Sequence, residues 1–176
     1  MQSGEKSQPH GLEKQSYERV GHWAERLLVA AINRSNSATA EQSTEDEDRY
    51  GIDMWITVTG RKEPIPVNLT LATGPDIEEK RRRASEIGYV VFEATPAGIS
   101  VSDLEAAAHG GINFQKKVLK ALYQAIEDQE EQLRKVGKSF ITRRELDKMI
   151  AADDKAQNLR HTHTTQRNPY RSHCRY

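Results

Sequence analysis

The sequence predicts an α/β domain with a small mixed sheet, a core of helix, hairpin, helix and strand, and a helical C-terminal part. Apolar residues recur at helical spacing from about Ser16. Residues 51–59 and 65–72 alternate between apolar and polar side chains on either side of a short turn, which indicates a β-hairpin. Helical periodicity returns beyond residue 100, so helices and a small sheet are expected to pack as layers.

The composition bounds the class of protein. The chain has 176 residues with 26 basic and 26 acidic side chains. It therefore carries no net charge that would drive it as a whole onto nucleic acid or a membrane. Its one cysteine, Cys174, excludes an intramolecular disulfide. No apolar run reaches the ~20 residues of a membrane span, so we expect a cytoplasmic protein.

The ends of the chain are predicted to be disordered. Hydrophobic residues make up 36% of the chain and mean hydropathy is -0.80, which is low for a domain that packs from end to end. Residues 1–15 are polar and without periodicity, and residues 156–176 read as a basic disordered tail. A single domain is expected over residues 16–155.

The first half of the chain is predicted to contain a helix and the hairpin. The helix has one apolar stripe and begins near Ser16, a candidate N-cap. A polar loop is expected between this helix and the hairpin. If the hairpin turns at Arg61 and Lys62, Asp53 lies opposite Thr70, and both side chains project from the same face.

The second half is bounded by helix-capping signals. Pro75 and Gly88 mark the ends of a charged helix in which acidic residues precede basic ones, the order that the helix dipole favours. An apolar run over residues 89–92 follows as a third, buried strand. Further helices are predicted over 102–109 with Ser102 as cap, over 113–136, and from Thr142 to about Asp153.

The candidate chemistry lies on the polar face of the hairpin. An acidic run over residues 45–48 precedes Gly51, Ile52 and Asp53. In metal-assisted phosphodiester hydrolysis, carboxylates hold Mg²⁺ or Mn²⁺, and a cation, commonly Lys, stabilises the developing charge. Alternate residues of paired strands converge on one face, so a hairpin can present these groups together.

With this hairpin behind an acidic loop, and with a helix and a strand after it, the chain over residues 16–94 resembles the restriction-endonuclease-like (PD-(D/E)XK) nuclease superfamily. The resemblance implies that Asp53 on the first strand binds metal. On the second strand it implies Glu or Gln, any residue, and then Lys. In this sequence Asn68 and Thr70 occupy those two positions.

The resemblance also implies a magnesium-dependent DNA endonuclease, with a carboxylate from the first helix. Because Thr70 carries no positive charge, either Lys80 or Lys62 has taken over the role of the cation, or the chemistry has been lost. We expect a nuclease-like domain associated with DNA and degenerate in hydrolysis. The candidate catalytic residues are Asp53, Asn68, Thr70 and Lys80, and the candidate Mg²⁺ ligands are Glu25, Asp53 and Asn68.

DNA is the first candidate partner. A basic run and the basic tail are the candidate contacts to phosphates, and the alternative is a solvated helix face. The run consists of Lys80, Arg81, Arg82 and Arg83.

Several structural alternatives stay open beside these readings. Asp53 is alternatively a solvated strand residue, and Trp55 either packs in the interior or stacks on a base. The helix over 113–136 either packs on its own sheet or offers a surface to a protein partner or a homodimer. The alternative function is accordingly a non-enzymatic protein-interaction or scaffold module.

Overall fold

The computed structural model describes the backbone of residues 10–165 and the side chains of residues 20–160. The chain divides into two compact units, Met1–Ile141 and Thr142–Tyr176. The elements are α1 (His10–Asn33), β1 (Ala38–Gln42), α2 (Glu45–Asp48), β2 (Met54–Val58), β3 (Ile65–Thr70), α3 (Pro75–Ile87), β4 (Val90–Glu93), α4 (Val101–Ala108), α5 (Ile112–Lys135) and α6 (Arg143–Thr165).

The first unit contains a four-stranded mixed sheet in the order β1-β2-β3-β4. β2 is antiparallel to both β1 and β3, whereas β4 is parallel to β3. The parallel pair is joined by α3, since parallel strands need a crossover rather than a tight turn. The predicted α/β class, the hairpin and the third strand are confirmed. Within the described residues, no helix is both long and apolar enough to cross a membrane.

β1 lies where the sequence analysis expects a loop. Its inward residues, Ala38 and Ala40, are buried, and the other three are exposed. Alanine, glutamine and glutamate are weak strand formers, so the alternation has little hydrophobic contrast. The side chain of Asn33 fixes the strand beside α1, because its amide group bonds both the nitrogen and the carbonyl oxygen of Ala40, at 2.7 and 2.8 Å.

The core lies on one face of the sheet, under α1, α4 and α5. The apolar face predicted for the hairpin is confirmed, since it is buried against these helices. The apolar seam of α5 is likewise buried in its own fold, and only residues near its ends, such as Ile112 and Val136, are strongly exposed. The principal core residues are Leu28, Ile32, Met54, Ile56, Ile65, Val67, Phe92, Leu104, Val118, Leu122 and Ile126.

The hairpin register differs by two residues from the predicted one. Met54 pairs with Val67, so Asp53 comes level with Asn68 and not with Thr70. The turn is the cause, because the amide of Arg61 donates to the carbonyl of Val58 at 2.9 Å and Gly60 has a φ of 89°. The chain therefore turns before Arg61 and Lys62. A shift of two preserves the faces, so the predicted polar and apolar sides are kept.

Three helix boundaries also differ from the predictions. α1 begins at His10, since residues 10–15 contain several good helix formers. α4 is capped by Ser100 instead of Ser102, because the Ser100 hydroxyl accepts from the Asp103 amide while the Asp103 carboxylate accepts from the Ser100 amide. α6 runs to Thr165, because no glycine or proline interrupts residues 156–165. The rest of the predicted disordered ends lies outside the described residues.

Gly88 supports a prediction about stability. It ends α3 with a φ of 100°, and an added Cβ would lie 2.8 Å from the Ser139 carbonyl oxygen and 3.0 Å from the Ile141 nitrogen. We expect Gly88→Ala to lower the free energy of unfolding by roughly 2–4 kcal/mol, because backbone strain and a backbone clash add together. Denaturant unfolding monitored by circular dichroism measures the change.

The matched control is Gly60→Ala. Gly60 has a φ of 89° but no atom within 4 Å of an added Cβ, so only the cost of the left-handed conformation remains, roughly 1 kcal/mol. Equal losses in the two variants would contradict the close approach at Gly88.

Candidate functional site

The site is built around the carboxylate of Asp53, immediately before β2. This side chain is buried, with 8% of the residue exposed. Its Oδ1 accepts a hydrogen bond from Asn68 Nδ2 at 3.1 Å, and its Oδ2 accepts one from the Leu69 amide at 2.7 Å. Asp53 is therefore not a solvated strand residue. It bridges β2 and β3 through Asn68, whereas the predicted register placed it opposite Thr70.

A cation reaches the same site from α3. Lys80 Nζ donates to Asn68 Oδ1 at 3.2 Å, so Lys80, Asn68 and Asp53 form one hydrogen-bonded chain. Lys62 is exposed in the loop beyond the far end of β2, and the five residues of that strand, roughly 16 Å of extended chain, lie between Asp53 and the loop. Lys80 and Lys62 are the two lysines that the sequence analysis offers for the role of the cation. Of these two, the structure brings only Lys80 to the site.

Thr70 has a local structural role. It is buried, its hydroxyl oxygen accepts from the Ala72 amide at 3.3 Å, and its carbonyl oxygen accepts from the Ala94 amide at 3.0 Å. It lies two residues beyond Asn68 on the same face of β3, and neither bond involves Asp53. The structure thus does not join Thr70 to the Asp53 chain.

Glu25 and Asp53 line one small pocket of about 160 Å³, although they lie far apart in the sequence. Glu45 and Asp48 from α2 line it as well, so four carboxylates surround a confined space. Glu25 Oε2 lies 3.2 Å from Nδ1 of the exposed His22. Glu25, the predicted carboxylate on the first helix, therefore lies close to Asp53.

The surroundings of Asp53 change its acidity. Burial is the largest cause that raises the pKa of Asp53, from 3.8 to about 7, and the negative charge of Glu25 raises it further. The hydrogen bond from Leu69 and the positive charge of Lys80 act in the opposite direction, while Asp48 adds a small increase. Asp53 is thus a carboxyl group that exchanges its proton near neutral pH.

The sequence analysis does not single out Glu47, a residue that supports the turn before Asp53. It is buried, its Oε1 accepts from Trp55 Nε1 at 3.0 Å, and its Oε2 accepts from the Thr44 amide at 2.7 Å. Thr44 and Glu47 form a capping box, a pattern that is visible in the sequence and could have located this turn. Trp55 is 1% exposed and packs in the interior, so it is not available to stack on a base.

The residues as placed do not fit a magnesium site. Within residues 20–160, no three His, Cys, Asp or Glu side chains are grouped so that they could hold a metal ion. Both oxygens of Asp53 accept hydrogen bonds from the protein, and Asn68 turns its amide NH₂ toward Asp53 and its carbonyl oxygen toward Lys80. Glu25 and Asp53 of the predicted ligand set are close in space, and the Asn68 carbonyl oxygen that would complete the set accepts a hydrogen bond from Lys80.

The arginines of α3 are occupied by intramolecular partners. The guanidinium groups of Arg81 and Arg82 bind carboxylates on the same helix or on β4, which reduces the charge that they offer to a phosphate, whereas Arg83 binds a neutral backbone carbonyl. The contacts join Arg81 to Glu78 and Glu93, Arg82 to Glu79 and Glu86, and Arg83 to the carbonyl of Arg49.

Comparisons of the chain with protein families, curated proteins and solved structures found no match. Function is therefore inferred from the fold and the site themselves.

Asp53 supports a prediction about pH. The pKa of Asp53 is about 7 in the folded state and 3.8 in the unfolded state. The stability that its protonated form contributes is therefore full below pH 3.8 and is lost as pH rises through 7. Asp53→Asn stays neutral throughout. Its free energy of unfolding relative to wild type should rise by at most about 1.4 kcal/mol per pH unit between about pH 5 and 7. Urea unfolding at several pH values measures this.

Glu63→Gln is the matched control, because Glu63 is an exposed carboxylate in the hairpin loop. Its difference from wild type should stay flat over the same pH range. A flat difference for Asp53→Asn as well would contradict the raised pKa.

Lys80 supports a second prediction at this site. The positive charge of Lys80 lowers the pKa of Asp53, so Lys80→Met should raise it further above 7. The midpoint can be followed by NMR from the chemical shift of the Asp53 carboxyl carbon. Lys62→Met removes the same charge at the far end of the hairpin and should leave the midpoint unchanged; identical midpoints in both variants would argue against the Lys80 contact.

Proposed function

We propose that this chain is a restriction-endonuclease-like domain that associates with DNA and has lost metal-dependent hydrolysis. The order of helix, hairpin, helix and strand, with β4 parallel to β3, agrees with what the resemblance implies. Asp53 and Asn68 also lie side by side on neighbouring strands, where the resemblance implies the reactive groups.

The proposed loss of hydrolysis rests on one observation: the polar groups of the site form hydrogen bonds with one another. Each oxygen of the Asp53 carboxylate accepts one hydrogen bond from the protein, and the Asn68 carbonyl oxygen accepts one from Lys80. A nuclease site instead directs carboxylate oxygens at a cation and a positive charge at the phosphate. Here the Lys80 ammonium is directed inward, so the site behaves as a buried hydrogen-bonded bridge between β2, β3 and α3.

The electrostatics of the pocket support the same conclusion. Four carboxylates, counting Asp53 itself, line the pocket, and a phosphate group without an accompanying cation would be repelled from it. DNA association therefore needs another surface. Of the basic groups proposed from sequence, the three arginines of α3 have intramolecular partners, and the tail beyond residue 165 lies outside the described residues.

The second candidate function is a protein-interaction module. The acidic pocket and the α3 arginines, which are bonded to partners within the chain, both favour it. Both features weaken the attraction of this face for a polyanion without affecting its ability to bind a protein. In this case the sheet acts as a scaffold and the ligand binds at another edge or face of the first unit.

The test of the proposed function is cleavage of plasmid and single-stranded DNA with Mg²⁺ or Mn²⁺, comparing wild type with Asp53→Ala. We expect no cutting by either protein, because no group of three His, Cys, Asp or Glu side chains that could hold a metal ion is found within residues 20–160. Cutting by wild type that disappears in Asp53→Ala would overturn the proposal and assign Lys80 the role of the cation.

DNA association is measured separately, by gel shift of the same DNA at increasing salt. Retention that weakens with salt would support contacts to phosphates. Failure to retain DNA at low salt would reject the DNA part of the proposal and leave the protein-interaction module.

A further inference from the structure

We propose that the open edge of β4 and the adjoining face of α5 form a docking groove for an extended segment of a partner protein, which adds as a fifth strand. This inference rests on the second candidate function, and its test does not use cleavage. The groove has a volume of about 760 Å³. Residues from β4, the turn after it and α5 line it, together with Arg81 of α3.

The backbone of β4 provides the first part of the site. β4 is the last strand of the sheet and pairs with β3 on one side only. The amide of Ala94 donates to the Thr70 carbonyl at 3.0 Å, so the alternation along a strand turns the amides of Val90 and Phe92 toward β3. The amides of Val91 and Glu93 then face the open edge, where an added strand would accept from them.

Gln129 provides the second, independent part. It lines the groove from α5, and its Nε2 is buried without a hydrogen-bond partner among the described residues. Leaving a buried donor unpaired is unfavourable, so such a group calls for an acceptor from outside the fold. The main-chain carbonyl of an extended segment is an acceptor of the right kind, since such a strand carries carbonyls on both sides.

The lining and charges of the groove define the chemistry of the segment. Ala97, Ala121 and Ala125 leave space that a larger apolar side chain would fill. Lys117 and Lys120 lie toward the N-terminal part of the α5 lining, and Lys120 is exposed without an ion pair among the described residues. The matching ligand is an extended peptide with apolar residues at alternate positions and a carboxylate near Lys120.

The test starts from a displayed library of random twelve-residue peptides selected on the full chain. We expect the selected peptides to share alternating apolar residues and an acidic end. Binding should weaken about tenfold in Gln129→Leu, which removes the donor but keeps the volume of the side chain. The same variant should be more resistant to urea than wild type, because it removes an unpaired buried group.

Hydrogen exchange measured by NMR tests the strand pairing itself. The amides of Val91 and Glu93 should exchange quickly in the free chain and slowly with the selected peptide bound. Gln42→Leu places the same apolar side chain on the exposed surface of the opposite edge strand and should leave peptide binding unchanged, which controls for general stickiness.

Three results would overturn the proposal. One is a selection without enriched peptides, and another is peptide binding that Gln129→Leu leaves intact. The third is a chain that is already dimeric at micromolar concentration, with Val91 protected in the dimer, since a second copy would then be the occupant of the groove. Sedimentation equilibrium of the free chain distinguishes this last case from binding of a foreign segment.

Discussion

The carboxylate of Asp53 joins the parts of the fold that determine what this protein can do. It crosses from β2 to Asn68 and Leu69 of β3, and through Asn68 it is linked to Lys80 of α3. Burying a carboxylate is costly unless it is hydrogen-bonded and near a positive charge, and these partners offset only part of that cost, because the pKa of Asp53 stays raised to about 7. The same bonds occupy one lone pair of each Asp53 oxygen, which reduces what the carboxylate offers to a metal ion.

The acidic turn next to the site has a different role in the structure from the one that its sequence suggests. In the sequence, residues 45–48 are an acidic run within a predicted polar loop. In the structure they form α2, and Glu47 lies beneath the surface, bonded to Thr44 and Trp55. The acidic run therefore holds β2, the strand that follows Asp53, and the charges of Glu25 and Asp48 raise the pKa of Asp53.

Much of the fold follows from the sequence, because hydrophobic periodicity directly reports which face of an element is buried. This reasoning identifies the hairpin faces, the helix from Pro75 and the strand before Glu93. It misses β1, whose alternation relies on alanine, and it misplaces the turn near Gly60 by one residue, which shifts the register by two. The proximity of Asp53 and Asn68 follows from pattern, but the inward direction of Lys80 depends on how α3 packs, which no local pattern encodes.

The two edges of the sheet differ in a way that limits stoichiometry. At β1 the outward residues are Thr39, Glu41 and Gln42, polar and charged side chains of the kind that discourage another strand from pairing there. At β4 the charged side chain is Glu93, which Arg81 of α3 binds at 2.6 Å, and its neighbours from Val90 to Phe92 are apolar. One copy of the fold therefore offers a partner strand the β4 edge and not the β1 edge, which limits addition to one strand per copy.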